Sequence, residues 1–291
     1  MPKLKEMPFR FRHSICNEVY EGWEFAAACR HIRAAGYEGI EIAPFTLAED
    51  PAAIPAAQRR EYRNIIASEG LAFAGLHWLM VSPKGLHVTT PDAKLRERSW
   101  LHIRNLADLC ADLGPNGEGG GVMVFGSPVQ RGTTGGSNSA QGRADAVERF
   151  AQGLESVAAH AAERNVRILV EALPKAQCDV LNTLEECAAL VHRIASPGVQ
   201  TMFDTHNAVD EVEPHEVLVE RYFSLIRHIH VNEVDGKHCG AGDYDFVPLL
   251  RTLKRLDYRG WISLEAFDFA PGPERVANES IRYLQGLTDA L

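Results

Sequence analysis

Short apolar segments alternate with longer amphipathic segments along most of the chain, and this alternation recurs eight times. Short apolar runs bounded by turn residues predict buried strands, whereas apolar residues spaced three and four apart predict helices. The predicted strands are Phe9–Ile15, Gly39–Ile42, Ala72–Leu76, Gly121–Phe125, Arg167–Glu171, Gln200–Asp204, His228–Val231 and Trp261–Ala266. The predicted helices are Glu21–Ala34, Pro55–Glu69, Asp92–Asp112, Arg143–Arg164, Thr183–Ile194, Pro214–Tyr222, Phe246–Leu256 and Pro273–Leu287.

The order of these elements predicts an α/β fold, a single (β/α)₈ TIM barrel that occupies residues 1–291. Gly36 and Gly70 lie where predicted helices end, and Thr183 followed by Glu186 is the pattern of a capping box. Eight strand–helix units in 291 residues are typical of a closed parallel barrel. The alternative is an open doubly wound sheet, but no GxGxxG motif follows the first strand.

Four successive strands end in residues that are rarely buried alone. The segments RILVE, QTMFD, HIH and WISLE end at Glu171, Asp204, His230 and Glu265. Ionised carboxylates are rarely buried unless they are paired or bind a cation. The four positions lie about one strand–helix repeat apart, which assigns them to the fifth to eighth strands. Strand alternation would then point all four side chains at the barrel axis near its carboxyl-terminal mouth.

Three carboxylates and one imidazole form a hard, mostly anionic set of donor atoms. Such a set suits one divalent metal ion, with Mn²⁺ as the first choice and Mg²⁺ or Co²⁺ as alternatives, and it disfavours a cysteine-bound structural zinc. The alternative interpretation is a buried carboxylate–histidine network that holds no metal.

The amino-acid composition limits the classes of molecule that the protein is expected to bind. The formal net charge is −9, so the chain lacks the basic balance of proteins that bind nucleic acid or anionic membranes. Six cysteines occur without a CxxC pair, which is typical of reduced thiols. The first eleven residues contain no apolar run like that of a signal peptide. We therefore expect a cytoplasmic protein that binds a small molecule.

Four stretches that carry these residues resemble the xylose isomerase-like barrels, and among them the ketose 3-epimerases of the D-tagatose and D-psicose type. The stretches are LVEALP, MFDTHN, HIHVNEVDGKHCGAGDYDF and SLEAF. The resemblance implies that Glu171, Asp204, His230 and Glu265 bind the metal. It also implies a metal-dependent sugar isomerase or epimerase, in which Glu171 and Glu265 transfer a proton through a metal-bound enediolate.

The chain departs from the epimerase pattern at positions expected to bind substrate. Gln177 stands where the epimerases have a glutamate six residues after the fifth-strand ligand. Asn207 replaces a histidine three residues after the metal-binding aspartate, and His206 precedes it. Lys237 stands where the epimerases have an arginine. These differences indicate that the substrate contacts have changed while the metal ligands are retained.

Further residues near strand ends are candidates for substrate binding. His77 ends the third strand and Glu41 lies in the second, so each could contact a sugar hydroxyl or instead hydrogen-bond beneath the site. Glu233 follows the seventh strand closely enough to reach substrate. Arg131, in the turn FGSPVQR, could bind a carboxylate or phosphate, or could anchor its own loop.

Three other functions use a similar scaffold. A lyase or dehydratase acting on a keto-sugar or keto-inositol would need the same metal and base. An apurinic endonuclease-like nuclease would need further metal ligands, yet Asn207 stands where a histidine ligand is expected. A non-catalytic sugar-binding protein would not need paired glutamates. Relatives often form homo-oligomers, so a homo-oligomer is also an expectation.

Overall fold

The computed structural model describes residues 9–134 and 139–291. Eight parallel strands in the described residues form a closed barrel in chain order, and β1 pairs with β8 to close it. The strands are β1 Arg12–Cys16, β2 Gly39–Ile42, β3 Ala72–Leu76, β4 Val122–Phe125, β5 Arg167–Val170, β6 Val199–Asp204, β7 Ile226–Val231 and β8 Trp261–Leu264. The predicted (β/α)₈ barrel is therefore confirmed.

The helices surround this barrel and follow the sequence signals closely. They are α1 Phe25–Ala35, α2 Ala56–Ser68, α3 Ala93–Leu113, α4 Pro128–Arg131, α5 Ala140–Glu163, α6 Leu184–Ile194, α7 His215–Tyr222, α8 Val247–Arg255 and α9 Pro273–Asp289. Thr183 and Glu186 form the expected capping box at the start of α6. Gly36 ends α1 with a φ of 115°, a conformation that favours glycine. The single turn α4 was not predicted, and it begins at Pro128, a residue favoured in a first helical turn.

The barrel interior has two unlike halves. Val122, Val124, Leu169 and Met202 form a small apolar cluster on β4 to β6, separate from the main core between strands and helices. The half formed by β1, β2, β7 and β8 is polar and equally buried. Its members include Ser14, Cys16, Glu41, His228 and Ser263. Polar groups buried in this way need partners, and several of these contacts lie directly below the carboxyl-terminal mouth.

Strand pairing ends earlier than predicted at two of the four polar strand ends, by one residue in β5 and by two residues in β8. β5 pairs with β4 as far as Val170, and β8 pairs with β1 and β7 as far as Leu264, so Glu171 and Glu265 are the first residues beyond the strands. β6 and β7 remain paired through Asp204 and His230. No helix in the described part of the chain is long and apolar enough to cross a membrane.

Candidate functional site

The four polar strand ends meet at one point of the barrel mouth. Glu171, Asp204, His230 and Glu265 each offer a donor atom, and these four atoms lie within 4.8 Å of one another. All four side chains are buried, with exposures between 0 and 5%. The convergence predicted from strand alternation is therefore the arrangement in the structure. We refer to these four residues as the acidic centre.

The imidazole of His230 presents an unpaired nitrogen to the carboxylates. Its Nδ1 lies 2.9 Å from Oε2 of Glu265 and 3.8 Å from Oδ2 of Asp204. Despite this proximity, Nδ1 has no hydrogen-bond partner among the described residues. Its Nε2 instead lies 3.1 Å from Oε1 of Glu41. A buried nitrogen that faces two carboxylates in this way is placed as a metal ligand would be.

The charges of the acidic centre repel one another. Burial, followed by the charges of Glu265 and Asp204, raises the pKa of Glu171 to about 8. Burial likewise raises the pKa of Glu265. For Asp204, burial alone would raise the pKa, but the interaction with His230 lowers it. A divalent cation would relieve this repulsion, and three carboxylates with one imidazole are donors that such an ion accepts. The residues present fit the predicted ion.

The loop after β6 ties Asp204 to Glu171. The backbone N–H groups of His206 and Asn207 donate to Oδ1 of Asp204 at 2.7 and 3.2 Å. The side-chain amide of Asn207 donates to Oε1 of Glu171 at 2.9 Å and to Oδ2 of Asp204 at 3.2 Å. Asn207 therefore holds two carboxylates of the acidic centre at a fixed separation, as well as lining the cavity described below.

Gly126 and Arg131 fix the position of Glu171. A Cβ atom at Gly126 would lie 2.2 Å from Oε2 of Glu171, so any larger residue would force that carboxylate to move. Arg131 is fully buried, and its guanidinium donates to the backbone carbonyls of Phe125 at 2.9 Å and of Glu171 at 2.8 Å. The arginine thus anchors the junction of β4 and β5, the second of the two roles expected for it.

A cavity of about 520 Å³ opens above the acidic centre. Glu171 and Glu265 form part of its floor, and polar side chains of Gln177, His206 and Asn207 line its sides. Aromatic rings form a further wall, with Trp78 stacked on Phe267 at a centroid distance of 6.2 Å and on Phe45 at 6.0 Å. A polar floor with a flat aromatic wall suits a sugar, which presents hydroxyl groups at its edges and C–H bonds on its faces.

Two of the predicted substrate contacts lie beneath the cavity rather than on its surface. His77 is fully buried, and its Nε2 lies 2.8 Å from Oε2 of Glu18. Glu41 is also fully buried, and its Oε2 lies 2.8 Å from Nε2 of His228. Neither side chain lines the cavity. The structure therefore places both in the alternative role, as hydrogen-bonding residues below the acidic centre.

The loop after β7 places two other candidates away from the cavity. Glu233 is buried and accepts hydrogen bonds from the backbone N–H groups of Gly240 at 2.8 Å and Tyr244 at 2.9 Å. Lys237 is exposed and forms an ion pair with Asp235. Both border a separate surface groove. In this conformation Glu233 shapes the loop, and Lys237 does not face the cavity.

Sequence reasoning missed three residues that support the site. Glu18 contacts Nε2 of His77 through its carboxylate. Its position two residues after Cys16, the last residue of β1, could have indicated a polar residue at the barrel mouth. Asn232 donates to the backbone carbonyl of Glu265 at 2.7 Å, and Phe267 extends the aromatic wall. Phe267 and Asn232 each lie two residues beyond a polar strand end, a spacing that could have drawn attention to them.

Known proteins resemble the chain in both sequence and fold. A profile described as "Xylose isomerase-like TIM barrel" matches residues 29–287. L-ribulose 3-epimerase of a Methylomonas species is 26% identical over 254 residues, which cover 86% of this chain and 82% of the relative. A probable ketose 3-epimerase of a Synechocystis species is 21% identical over 274 residues, covering 86% of each chain. The structure of D-psicose 3-epimerase from Clostridium cellulolyticum superposes with a TM-score of 0.79 at 17% identity, covering 96% of this chain and 99% of that one. With the strand order, the acidic centre and a profile match over most of its length, the chain belongs to the xylose isomerase-like TIM barrel family.

Proposed function

We propose that the protein is a sugar epimerase or isomerase that depends on a divalent metal ion, with a ketose 3-epimerase-like proton transfer. The observation that carries the proposal is the meeting of two buried glutamates, Glu171 and Glu265, at the floor of one cavity. Epimerase names among its relatives, at identities of 21 to 26%, support the reaction class. The substrate would be a small sugar.

The acidic centre would hold the metal through Glu171, Asp204, His230 and Glu265. Mn²⁺ is our first choice, with Mg²⁺ and Co²⁺ as alternatives, because oxygen donors predominate. When bound, such an ion would supply Lewis acidity towards the substrate's carbonyl and hydroxyl oxygens.

The two glutamates would transfer protons in both directions. Glu171 follows β5 and Glu265 follows β8, three strands further round the barrel, so their carboxylates enter the centre from different sides. One carboxylate can therefore take a proton from one face of a carbon while the other returns a proton to the opposite face. Without a bound ion, burial and the neighbouring carboxylates raise the pKa of Glu171 to about 8.

The remaining cavity residues would bind and orient the sugar. Gln177, His206 and Asn207 offer hydrogen-bonding groups, and Trp78 with Phe267 offers an apolar wall for the C–H face. Closure of this wall over the substrate would exclude water from the carbon that exchanges its proton. Arg131 would hold the backbone of Glu171 in position, Glu41 would hold His230, and His77 would bind Glu18 below the acidic centre.

The test is isotope exchange on a panel of ketoses in D₂O. Metal-stripped protein is assayed before and after addition of Mn²⁺, Mg²⁺ or Co²⁺, and the position of deuterium is read by NMR. Deuterium at C3 supports epimerisation, whereas deuterium at C1 indicates aldose–ketose isomerisation. A product that has lost the mass of water would instead identify a lyase.

Variants separate the roles of the residues. Glu265→Gln should abolish exchange, while Glu220→Gln, a surface change in an ion pair with Arg255, serves as the matched control. Failure of the wild-type protein to bind any of the three ions would refute the metal-dependent mechanism. Exchange that survives Glu265→Gln would refute the role of the paired glutamates.

A further inference from the structure

We propose that Glu41 is a positioning residue that determines which nitrogen of His230 faces the acidic centre. This inference rests on the proposed function, because it concerns the same metal. It assigns a role to a buried carboxylate that is neither a predicted metal ligand nor part of the cavity wall.

Glu41 reaches across the barrel interior from β2 to β7. Its register neighbours are Cys16 on β1 and Gly75 on β3, two small residues that leave space around the carboxylate. Oε1 lies 3.1 Å from Nε2 of His230, and Oε2 lies 2.8 Å from Nε2 of His228 and 3.2 Å from Nε2 of His230. One buried carboxylate is therefore shared by two imidazoles from the same strand.

These contacts select a tautomer. An ionised carboxylate only accepts hydrogen bonds, so the Nε2 atoms of both His228 and His230 must carry the proton. A metal binds a neutral imidazole, which has a single N–H, and in that form Nδ1 of His230 carries the free lone pair. That atom is the one that lies 2.9 Å from Glu265 and has no hydrogen-bond partner in the described residues. Glu41 thereby prepares His230 to donate electrons to a cation.

His228 completes the arrangement by holding Glu41 in place. Its ring centroid lies 5.0 Å from that of His230, and its contact is the shortest one to Glu41. Nδ1 of His77 lies 3.9 Å from Oε1 of this carboxylate, and Sγ of Cys16 lies within 4.8 Å of one of its oxygens. With two imidazoles bound to its two oxygens, the carboxylate cannot rotate away from His230 without leaving a buried donor unpaired.

Replacement of Glu41 by glutamine keeps the size of the side chain but removes the preference for the His230 tautomer with its proton on Nε2. An amide has one accepting oxygen and one donating nitrogen, so one of the two positions now held by Oε1 and Oε2 would present an N–H group to a histidine Nε2. If the oxygen stays with His228, the amide N–H group faces Nε2 of His230. The proton of His230 then moves to Nδ1, where it blocks the lone pair that a metal requires.

The experiment compares the affinity of Mn²⁺ for wild-type, Glu41→Gln and Asp108→Asn proteins by competition with a chelator. Asp108→Asn is a matched control, since the carboxylate of Asp108 also contacts a histidine, namely His160 at 3.0 Å, and neither residue belongs to the acidic centre or lines the cavity. We expect Glu41→Gln to bind Mn²⁺ about 10- to 100-fold more weakly, as for other residues that orient a metal-binding histidine. We expect Asp108→Asn to bind with the affinity of the wild type.

Equal affinities for Glu41→Gln and the wild type would overturn the inference, as would an equal loss in Asp108→Asn. A wild-type protein that binds no metal would overturn the proposed function itself, which keeps the two failures distinct. Should Glu41→Gln fail to fold, ¹⁵N NMR of the histidines in Mg²⁺-loaded wild-type protein decides the matter. A proton on Nε2 of His230 supports the inference, and a proton on Nδ1 overturns it.

Discussion

Lowering the pH should weaken the binding of the metal ion, and the pKa of Glu171 sets the size of this effect. Burial and the charges of Glu265 and Asp204 raise the pKa of this carboxyl to about 8 when no ion is present. A carboxyl must lose its proton before it binds a cation, and three pH units separate pH 9 from pH 6. At pH 6 only about 1% of the Glu171 carboxyls are ionised, so affinity should fall about 100-fold over that range.

His230 should steepen this dependence. Burial opposes its charged form, yet the charges of Glu41 and Glu265 raise its pKa well above the ordinary value. Each metal ion must therefore displace a proton from His230 as well as from Glu171. We expect the logarithm of the affinity to change by more than one for each pH unit below pH 8.

The assay is calorimetric titration with Mg²⁺ at pH 6, 7, 8 and 9, each in two buffers with different enthalpies of ionisation. The difference in heat between the buffers gives the number of protons released per ion, which should be at least one below pH 8. Glu171→Gln provides the control, because an amide has no proton to release and the slope should become shallower. An affinity that stays constant from pH 6 to pH 9, without proton release, would refute the assignment of a protonated Glu171.

Three further predictions address the same region. Without metal, the melting temperature should be higher at pH 6 than at pH 9. Because the pKa of Glu171 is raised in the folded protein, the fold binds this proton more tightly than the unfolded chain does and is stabilised at low pH. This stabilisation is lost as the pH rises through about 8. Scanning calorimetry tests this, and equal melting temperatures would contradict it. Gly126→Ala should weaken metal binding strongly while the fold persists, because the new Cβ occupies the place of Oε2 of Glu171. Gly286→Ala, where a Cβ meets nothing within 4 Å, is its control, and equal Mg²⁺ affinities in the two variants would refute the steric argument. Arg131→Met should lower the free energy of unfolding by about 3 kcal/mol or more, since two buried carbonyls lose a charged donor. Urea denaturation measures the loss, and a change below about 1 kcal/mol would show that the arginine does not anchor the two strands.

The sequence was sufficient to predict the residues whose positions follow from strand periodicity. Asp204 and His230 lie at equivalent points of neighbouring strands, so their convergence follows from the repeat and the closure of the barrel. Contacts across the barrel are different. Glu41 and His228 are 187 positions apart, and their pairing depends on the separation of opposite strands rather than on any local pattern.

Loop residues were the least predictable part of the site. Lys237 was assigned to the substrate because it stands where the epimerases have an arginine, whereas in the structure it pairs with Asp235 on the surface. A loop has no periodicity, so its side-chain directions depend on hydrogen bonds such as those of Glu233 with the backbone of its own loop. Sequence spacing cannot reveal those bonds.

The apolar and polar halves of the barrel interior differ in how well they tolerate substitutions. In the apolar half, residues such as Leu169 and Met202 can be exchanged for others of similar volume at little cost. In the polar half, a single substitution at Glu41 or His228 leaves a buried group without its partner. New substrate specificities are therefore best sought on the cavity walls. Libraries that vary Gln177 and leave β1, β2 and β7 intact should yield the largest share of folded variants.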